Sequence, residues 1–167
     1  LFCCVSLGNT ACVNRIDEES EAEIEEGTTP ITFSIKIEKA STKVTNTAFE
    51  KGDKMGLFAT TSSGSIKGKR YIDNLALEYT EGSTLIPQKT VFYPEGDVSL
   101  DFISYHPYQT EGVAAGTPVL PVSVQIDQSN EKNRAQSDFL VAKAQGITSK
   151  TKSVTLEFQH KLSKLAI

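Results

Sequence analysis

One stretch near the start of the chain, residues 31–38, alternates apolar and polar residues without interruption. Successive side chains of a β-strand point to opposite faces, so a period of two places every second residue on the same face. The apolar set is Ile31, Phe33, Ile35 and Ile37. Pro30 precedes the stretch and a polar run follows it, which marks both ends. The pattern predicts a half-buried strand whose apolar face the rest of the chain must cover.

Further short apolar runs, separated by turn residues, follow along the chain. Strands are predicted at 55–59, 75–79, 91–93, 98–105, 122–126 and 153–160. Between residues 138 and 146 a helical turn competes with a strand, and the sequence leaves this choice open. With 167 residues and 38% hydrophobic content, the chain can enclose one ordinary core. Short strands at turn-punctuated spacing are typical of an all-β sandwich or barrel.

The three cysteines all lie within the first twelve residues, so a disulfide framework is not predicted for the body of the chain. Residues 1–12 are interpreted as the remnant of a signal peptide, too short to span a bilayer. A small residue, Ala11, directly before Cys12 resembles the lipobox of bacterial lipoproteins. Cys12 is therefore the predicted lipidation site. The alternative is an ordinary signal peptide cleaved at a similar place.

Residues 13–29 are rich in Asp and Glu and poor in apolar residues. Because like charges repel and little apolar surface can be buried, this segment is predicted to be a disordered tether. An acidic segment directly behind a lipidated cysteine also resembles the surface-export signal of Bacteroidetes lipoproteins, although a plain spacer is an alternative. The net charge of −4 and the lack of a Lys/Arg cluster argue against nucleic acid as a partner.

Few residues are suited to catalysis, since the chain has only two histidines. His106 precedes Pro107 in a turn and His160 ends a strand, and neither belongs to a pair with metal-ligand spacing. The prediction is a protein without enzymatic activity and without a catalytic, cofactor-binding or metal site. Tyr93, Tyr105 and Tyr108 could offer stacking faces to a sugar, but side chains of this kind more often pack at the edge of a core.

An ordered set of short motifs resembles the N-terminal part of the fimbrillin-like family, which are lipoprotein pilins of Bacteroidales. The motifs lie at residues 31–37, 42–43, 49–59, 93–94, 101–108, 127–129, 137–138 and 158–165. The resemblance implies a transthyretin-like Greek-key β-sandwich over residues 30–167, the N-terminal domain of a longer, two-domain protein.

The resemblance also implies a function, that of a structural subunit of a surface pilus or fimbria. It implies an outer-membrane lipoprotein precursor, exposed at the cell surface, whose first strand fills its own groove. The resemblance implies that a trypsin-like processing protease then cuts behind that strand, with Lys43 as the predicted site and Lys39 as the alternative, and that the strand of another pilin subunit replaces it. Ile31, Phe33, Ile35 and Ile37 would form the displaceable strand. The alternative is a surface lipoprotein that binds a host glycan or protein without polymerising.

Overall fold

The computed structural model describes residues 25–37, 49–62, 64–114, 116 and 119–162. In chain order the elements are β1 (Glu26–Pro30), β2 (Phe33–Ile37), β3 (Lys54–Thr61), β4 (Ile72–Tyr79), β5 (Thr84–Pro87), β6 (Phe92–Pro94), β7 (Leu100–His106), α1 (Glu131–Gln136), β8 (Leu140–Ile147) and β9 (Val154–His160). The all-β prediction is confirmed. No helix in this part of the chain is long and apolar enough to cross a membrane.

The strands form a sandwich-like fold around one core. Seven of them are hydrogen-bonded in the order β2-β5-β4-β3-β7-β8-β9, and β9 pairs in turn with β2, so the order closes on itself. Neighbours in this ring are antiparallel, except that β2 and β9 run parallel. Strands β1 and β6 form a separate antiparallel pair. Because β2 links β5 to β9, the strand with the strongest pattern in the sequence closes the ring.

The core is filled by residues that alternate along most strands, as a period of two requires. In β9 the inward residues Val154, Leu156 and Phe158 are fully buried. Strand β3 is different, because its six consecutive residues 55–60 are all buried. Met55, Leu57 and Ala59 face the core. The other face of β3 must therefore have a cover of its own.

The residues that form this layer are called the outer cluster here, and they are Gly56, Phe58, Arg70, Asn74 and Tyr105. The rings of Phe58 and Tyr105 stack with 5.9 Å between their centroids, and the Arg70 guanidinium lies 4.9 Å from the Phe58 centroid. The Tyr105 hydroxyl donates to the Asn74 side chain over 2.8 Å. The stack gives β3 a second, smaller packed layer outside the main core.

Hydrogen bonds from the outer cluster hold the loop that follows β7. Arg70 donates to the backbone carbonyls of Val113 and Ala114, and its side chain, only 3% exposed, also pairs with Asp73 at 2.6 Å. The Asn74 amide donates to the carbonyl of Gln109 over 2.8 Å. Since a buried guanidinium is tolerated only when its N–H groups are bonded, these carbonyls both satisfy Arg70 and fix the path of the loop.

The predicted disordered tether, residues 13–29, contains a strand at its end. Residues 26–29 form β1 together with Pro30, and β1 pairs with β6 from Glu26 opposite Pro94 to Pro30 opposite Phe92. Gly27 permits this close approach, because a Cβ at that position would lie 2.8 Å from the carbonyl oxygen of Tyr93. Backbone pairing needs no apolar side chains, so the acidic composition did not indicate it. Residues 1–24 lie outside the described part of the chain.

In three further segments, side-chain periodicity was insufficient to predict the secondary structure. The strand predicted at 122–126 is wrong, since these residues belong to no strand and Val122, Val124 and Ile126 are exposed. Strand β5 was not predicted at all. The choice at 138–146 is decided in favour of a strand, β8, whose pairing with β7 runs from Leu100 opposite Ile147 to His106 opposite Leu140. The polar run before it contains the short helix α1.

Candidate functional site

Strand β2 lies between β5 and β9, and its pairing with β9 is longer than its pairing with β5. Its pairing with β9 is in register along the whole strand, from Phe33 opposite Val154 to Ile37 opposite Phe158. Its pairing with β5 covers only Phe33 opposite Leu85 and Ser34 opposite Thr84. Two further backbone hydrogen bonds, from Ile31 to Val91 and from Ile35 to Ser83, extend the contact on the β5 side, each at 2.8 Å.

The inward face of this segment completes the main core. Ile31, Phe33 and Ile35 are 3%, 2% and 9% exposed, and all three belong to the core cluster. The Phe33 ring meets the Phe102 ring edge to face, with 5.9 Å between centroids. Ile37 is in β2, but its side chain lies outside what the structure describes. Removing β2 would therefore open the core between β5 and β9.

The outward face is polar and makes a row of contacts with β9. Ser34 and Thr155 are joined by a hydrogen bond of 3.1 Å between their hydroxyl oxygens. Lys36 pairs with Glu157 at 2.8 Å, and both side chains are about half exposed or more, so the ion pair adds little stability. These contacts define the register of the strand, whereas the buried residues supply most of its binding free energy.

The other predicted site residues are not in the described part of the chain. Cys12, the predicted lipidation site, and Lys39 and Lys43, the predicted processing sites, lie outside it. They therefore stay predictions. The last described residue of β2 is Ile37 and the next described residue is Phe49, so both lysines fall in the connection between β2 and β3.

The tyrosines considered for sugar stacking have different surroundings. Tyr93 and Tyr105 are 2% and 3% exposed, so neither offers a ring face to a ligand. Burial accordingly raises the pKa of both hydroxyls. Tyr108 is half-buried and its backbone N–H bonds the carbonyl of Lys54. In the described structure, then, two of the three proposed sugar contacts are packing residues.

The two histidines have structural contacts. His106 is buried, its Nδ1 lies 3.1 Å from the carbonyl oxygen of Lys54, and its ring packs edge to face on Phe49. His160 Nδ1 lies 2.8 Å from a carboxylate oxygen of Asp138. Among the described residues no group of three or more His, Cys, Asp or Glu side chains could hold a metal ion.

The buried His106 predicts a pH dependence of stability. Burial lowers the pKa of His106 below its ordinary value of 6.5, and the opposing effects of the Lys54 carbonyl and of Asp53 and Asp138 are smaller. As the pH falls through about 6.5, the unfolded chain therefore binds a proton that the folded chain does not. We expect the free energy of unfolding to fall with decreasing pH below about 6.5, by up to about 1.4 kcal/mol per pH unit, until the folded pKa is passed.

Urea unfolding at a series of pH values from 7.5 to 5 would measure this loss. The matched variant is His106→Asn, because an amide can donate to the same carbonyl but does not titrate. The variant should be less stable at pH 7.5, and the difference from the unmodified chain should shrink on acidification. Parallel pH profiles for the two proteins would show that His106 is not the titrating group.

This chain is similar to one known protein family and to several solved structures. The family model described as fimbrillin-like matches residues 42–167. None of the curated proteins matches the chain. Among solved structures, a fimbrial protein from Bacteroides ovatus is similar with a TM-score of 0.57 and 20% identity, over 79% of this chain and 28% of that one. A candidate cell adhesion protein from Bacteroides uniformis has the same score and identity, over 80% and 49%.

A second candidate cell adhesion protein, from Bacteroides ovatus, has a TM-score of 0.57 and 21% identity over 79% of this chain and 52% of that one. The chain thus spans about half or less of the length of these structures. At such identities the likeness shows the fold. The family match covers most of the chain, including seven of the nine strands. This protein belongs to the fimbrillin-like family.

Proposed function

We propose that this chain is a structural subunit of a surface pilus, which reaches the outer membrane as a lipoprotein anchored through Cys12 and joins other subunits by exchange of β2. Membership of the fimbrillin-like family supports a pilus or adhesion role at the cell surface. The similar solved structures bear the names of a fimbrial protein and of candidate cell adhesion proteins, which agrees with this assignment.

The observation that carries the proposal is the position of β2. It is the first strand of the seven-stranded ring, it closes that ring, and it supplies buried residues to the core. Its withdrawal would leave backbone groups of β5 and β9 without partners, on either side of an apolar groove. Such a pair of open edges accepts an extended segment with apolar residues at alternate positions.

The size of the buried contribution explains why cleavage would be needed. Each large side chain that is fully buried contributes about 1.5–3 kcal/mol as an upper bound. Three such side chains come from this segment: Phe33 and Ile35 in β2, and Ile31 two residues before it. Their sum is comparable to the total stability of a typical domain, about 5–15 kcal/mol. Spontaneous exit is therefore rare. After a cut at Lys43 or Lys39, the strand is held only by noncovalent contacts and another strand can compete for the groove.

A trypsin-like protease applied to the folded chain would test the proposal. The cut protein is expected to release its N-terminal fragment when a synthetic peptide of residues 30–38 is added in excess. Without the peptide, the cut protein should form ladders on a non-denaturing gel. A chain with Lys39→Gln, Lys43→Gln and Lys51→Gln should do neither, because the exposed Lys51 also lies between β2 and β3. Cutting at Arg15 instead would separate the chain from its lipid and leave β2 in place, which serves as a control for nonspecific effects of proteolysis.

One result would contradict the proposal directly. A protein cut between β2 and β3 that stays monomeric and never takes up the peptide would exclude strand exchange. If that monomer gave a signal on a glycan array, the alternative of an adhesive lipoprotein that does not polymerise would replace the pilin assignment.

A further inference from the structure

The side chain of Phe49 lies across one end of the ring of strands. It precedes β3 and is half-buried against the main core. Its ring meets the rings of His106 and Phe158 edge to face, with 5.1 Å and 5.5 Å between centroids, and the Tyr79 ring lies 6.1 Å away. Tyr79 and His106 are the last residues of β4 and β7, and Phe158 is in β9. One side chain therefore contacts three strands of the ring at the same end.

Strand β2 stops at this end as well. It runs parallel to β9, and its last residue, Ile37, is opposite Phe158. Phe158 is fully buried and belongs to the main core. Because inward residues of a strand recur with a period of two, the next inward position after residue 37 would be residue 39. Phe49 packs on Phe158, so it lies where the core-facing side of β2 ends.

The strand registers show what residue 39 would meet inside the ring. His106 is opposite Leu140 in β8, and Leu140 is opposite His160 in β9. If the pairing of β2 with β9 continued for two more residues, residue 39 would be opposite His160, at the same level as His106. The Phe49 ring packs on His106 and thus already fills the interior at that level.

We propose that Phe49 is a specificity-determining residue for strand exchange, because it closes the groove of β2 beyond position 37. An entering strand can then bury inward residues only as far as that position. The inference rests on the proposed function, since it requires that β2 be replaceable, and it holds for any strand that enters. It adds the residue that sets the length of the groove at this end.

Phe49 stays in place when β2 leaves. Both predicted cleavage sites, Lys43 and Lys39, precede it in the chain, so it remains attached to β3 after either cut. The turn that follows it is bonded to β4, because the Gly52 N–H donates to the carbonyl of Tyr79 over 2.9 Å. Its three ring contacts are likewise with β4, β7 and β9, which all follow the cut. The end of the groove is therefore closed before a new strand arrives.

Two synthetic peptides that differ in one side chain would test the inference. Both have the sequence of residues 31–39, one with Lys39→Ile and the other with Lys39→Ser. The protein carries a specific protease site after Lys43, is cut there, and keeps Phe49. The concentration of each peptide that releases half of the N-terminal fragment is then measured. In the unmodified background we expect the two values to agree within about twofold, because the isoleucine meets Phe49 and gains no burial.

The Phe49→Ala variant should distinguish the two peptides. With the ring removed, the isoleucine can be buried, so its peptide should act at a concentration at least about tenfold lower than the serine peptide. Phe49→Val retains an apolar side chain and part of the core contact, and it should give a preference of at least about threefold. Circular dichroism would establish that each variant is folded. If Phe49→Ala does not fold, equal values for the two peptides with Phe49→Val would overturn the inference.

The outcomes separate this inference from the proposed function. If both peptides release the fragment and isoleucine is favoured equally with and without the Phe49 ring, another feature ends the groove and strand exchange still stands. A preference of about tenfold for isoleucine in the unmodified background would overturn the inference in the same way. If neither peptide releases the fragment from any of the cut proteins, strand exchange itself fails and the inference fails with it.

Discussion

Replacing Phe33 by aspartate should lower the free energy of unfolding by at least about 4 kcal/mol, enough to unfold a domain of ordinary stability. The side chain is 2% exposed and contacts the Phe102 ring, so the substitution both removes a large apolar group and places a carboxylate in the core without a partner. Chemical denaturation followed by circular dichroism would measure the loss, and the variant should also fail to form ladders after proteolysis.

Thr32→Asp provides the matched control for this substitution. Thr32 is exposed and adjacent to Phe33, and its hydroxyl donates to the carbonyl of Lys152 over 2.7 Å. Losing that one surface hydrogen bond should cost no more than about 1 kcal/mol. Equal destabilisation by the two variants would mean that the face assignment of this segment is wrong.

Gly56→Ala should destabilise the protein by about 3 kcal/mol or more, although it adds a single carbon atom. A Cβ at position 56 would overlap the Tyr105 ring, with its ideal position far inside contact distance of the ring carbons. Tyr105 cannot move aside freely, because its ring stacks on Phe58 and its hydroxyl bonds Asn74. Either β3 shifts against β7 or the outer cluster breaks up. Thermal unfolding would measure the effect.

A double-mutant cycle isolates the contact. In a Tyr105→Ala background the space above residue 56 is open, so adding Gly56→Ala should cost less than about 1 kcal/mol. The coupling between the two positions is then the cost of the overlap. If Gly56→Ala were equally harmful in both backgrounds, the glycine would be required for a reason other than the tyrosine ring.

The alternation in residues 31–37 was sufficient to predict which side chains of β2 are buried. Ile31, Phe33 and Ile35 all lie in the core, because a period of two assigns side chains to faces wherever a strand forms. The same rule was insufficient at 122–126, where the alternation is equally regular but the segment has no strand partner. Whether an alternating segment becomes a strand depends on a partner with free backbone groups, which a local pattern does not contain.

The outer cluster could be found in the sequence only in part. Six consecutive apolar or small residues in β3 indicate a strand covered on both faces. The sequence does not indicate which residues cover this face, because Arg70 follows Lys67 and Lys69 in a stretch with Ser and Gly, a composition typical of a solvated loop. The Arg70 side chain is buried because backbone carbonyls in the loop after β7 accept its hydrogen bonds. These bonds join residues more than 40 positions apart, which a local sequence pattern does not show.

The sequence by itself therefore determined the all-β class, the inward face of β2 and the resemblance to pilins, because all three follow from the local order of residue types. Only the tertiary structure decided that β2 runs parallel to β9 and closes the ring, that residues 26–30 extend the sheet structure, and that residues 120–126 lie with their apolar side chains in water. The physical reason is that strand pairing is a long-range choice among backbone edges, and side-chain periodicity is the same whichever edge is chosen.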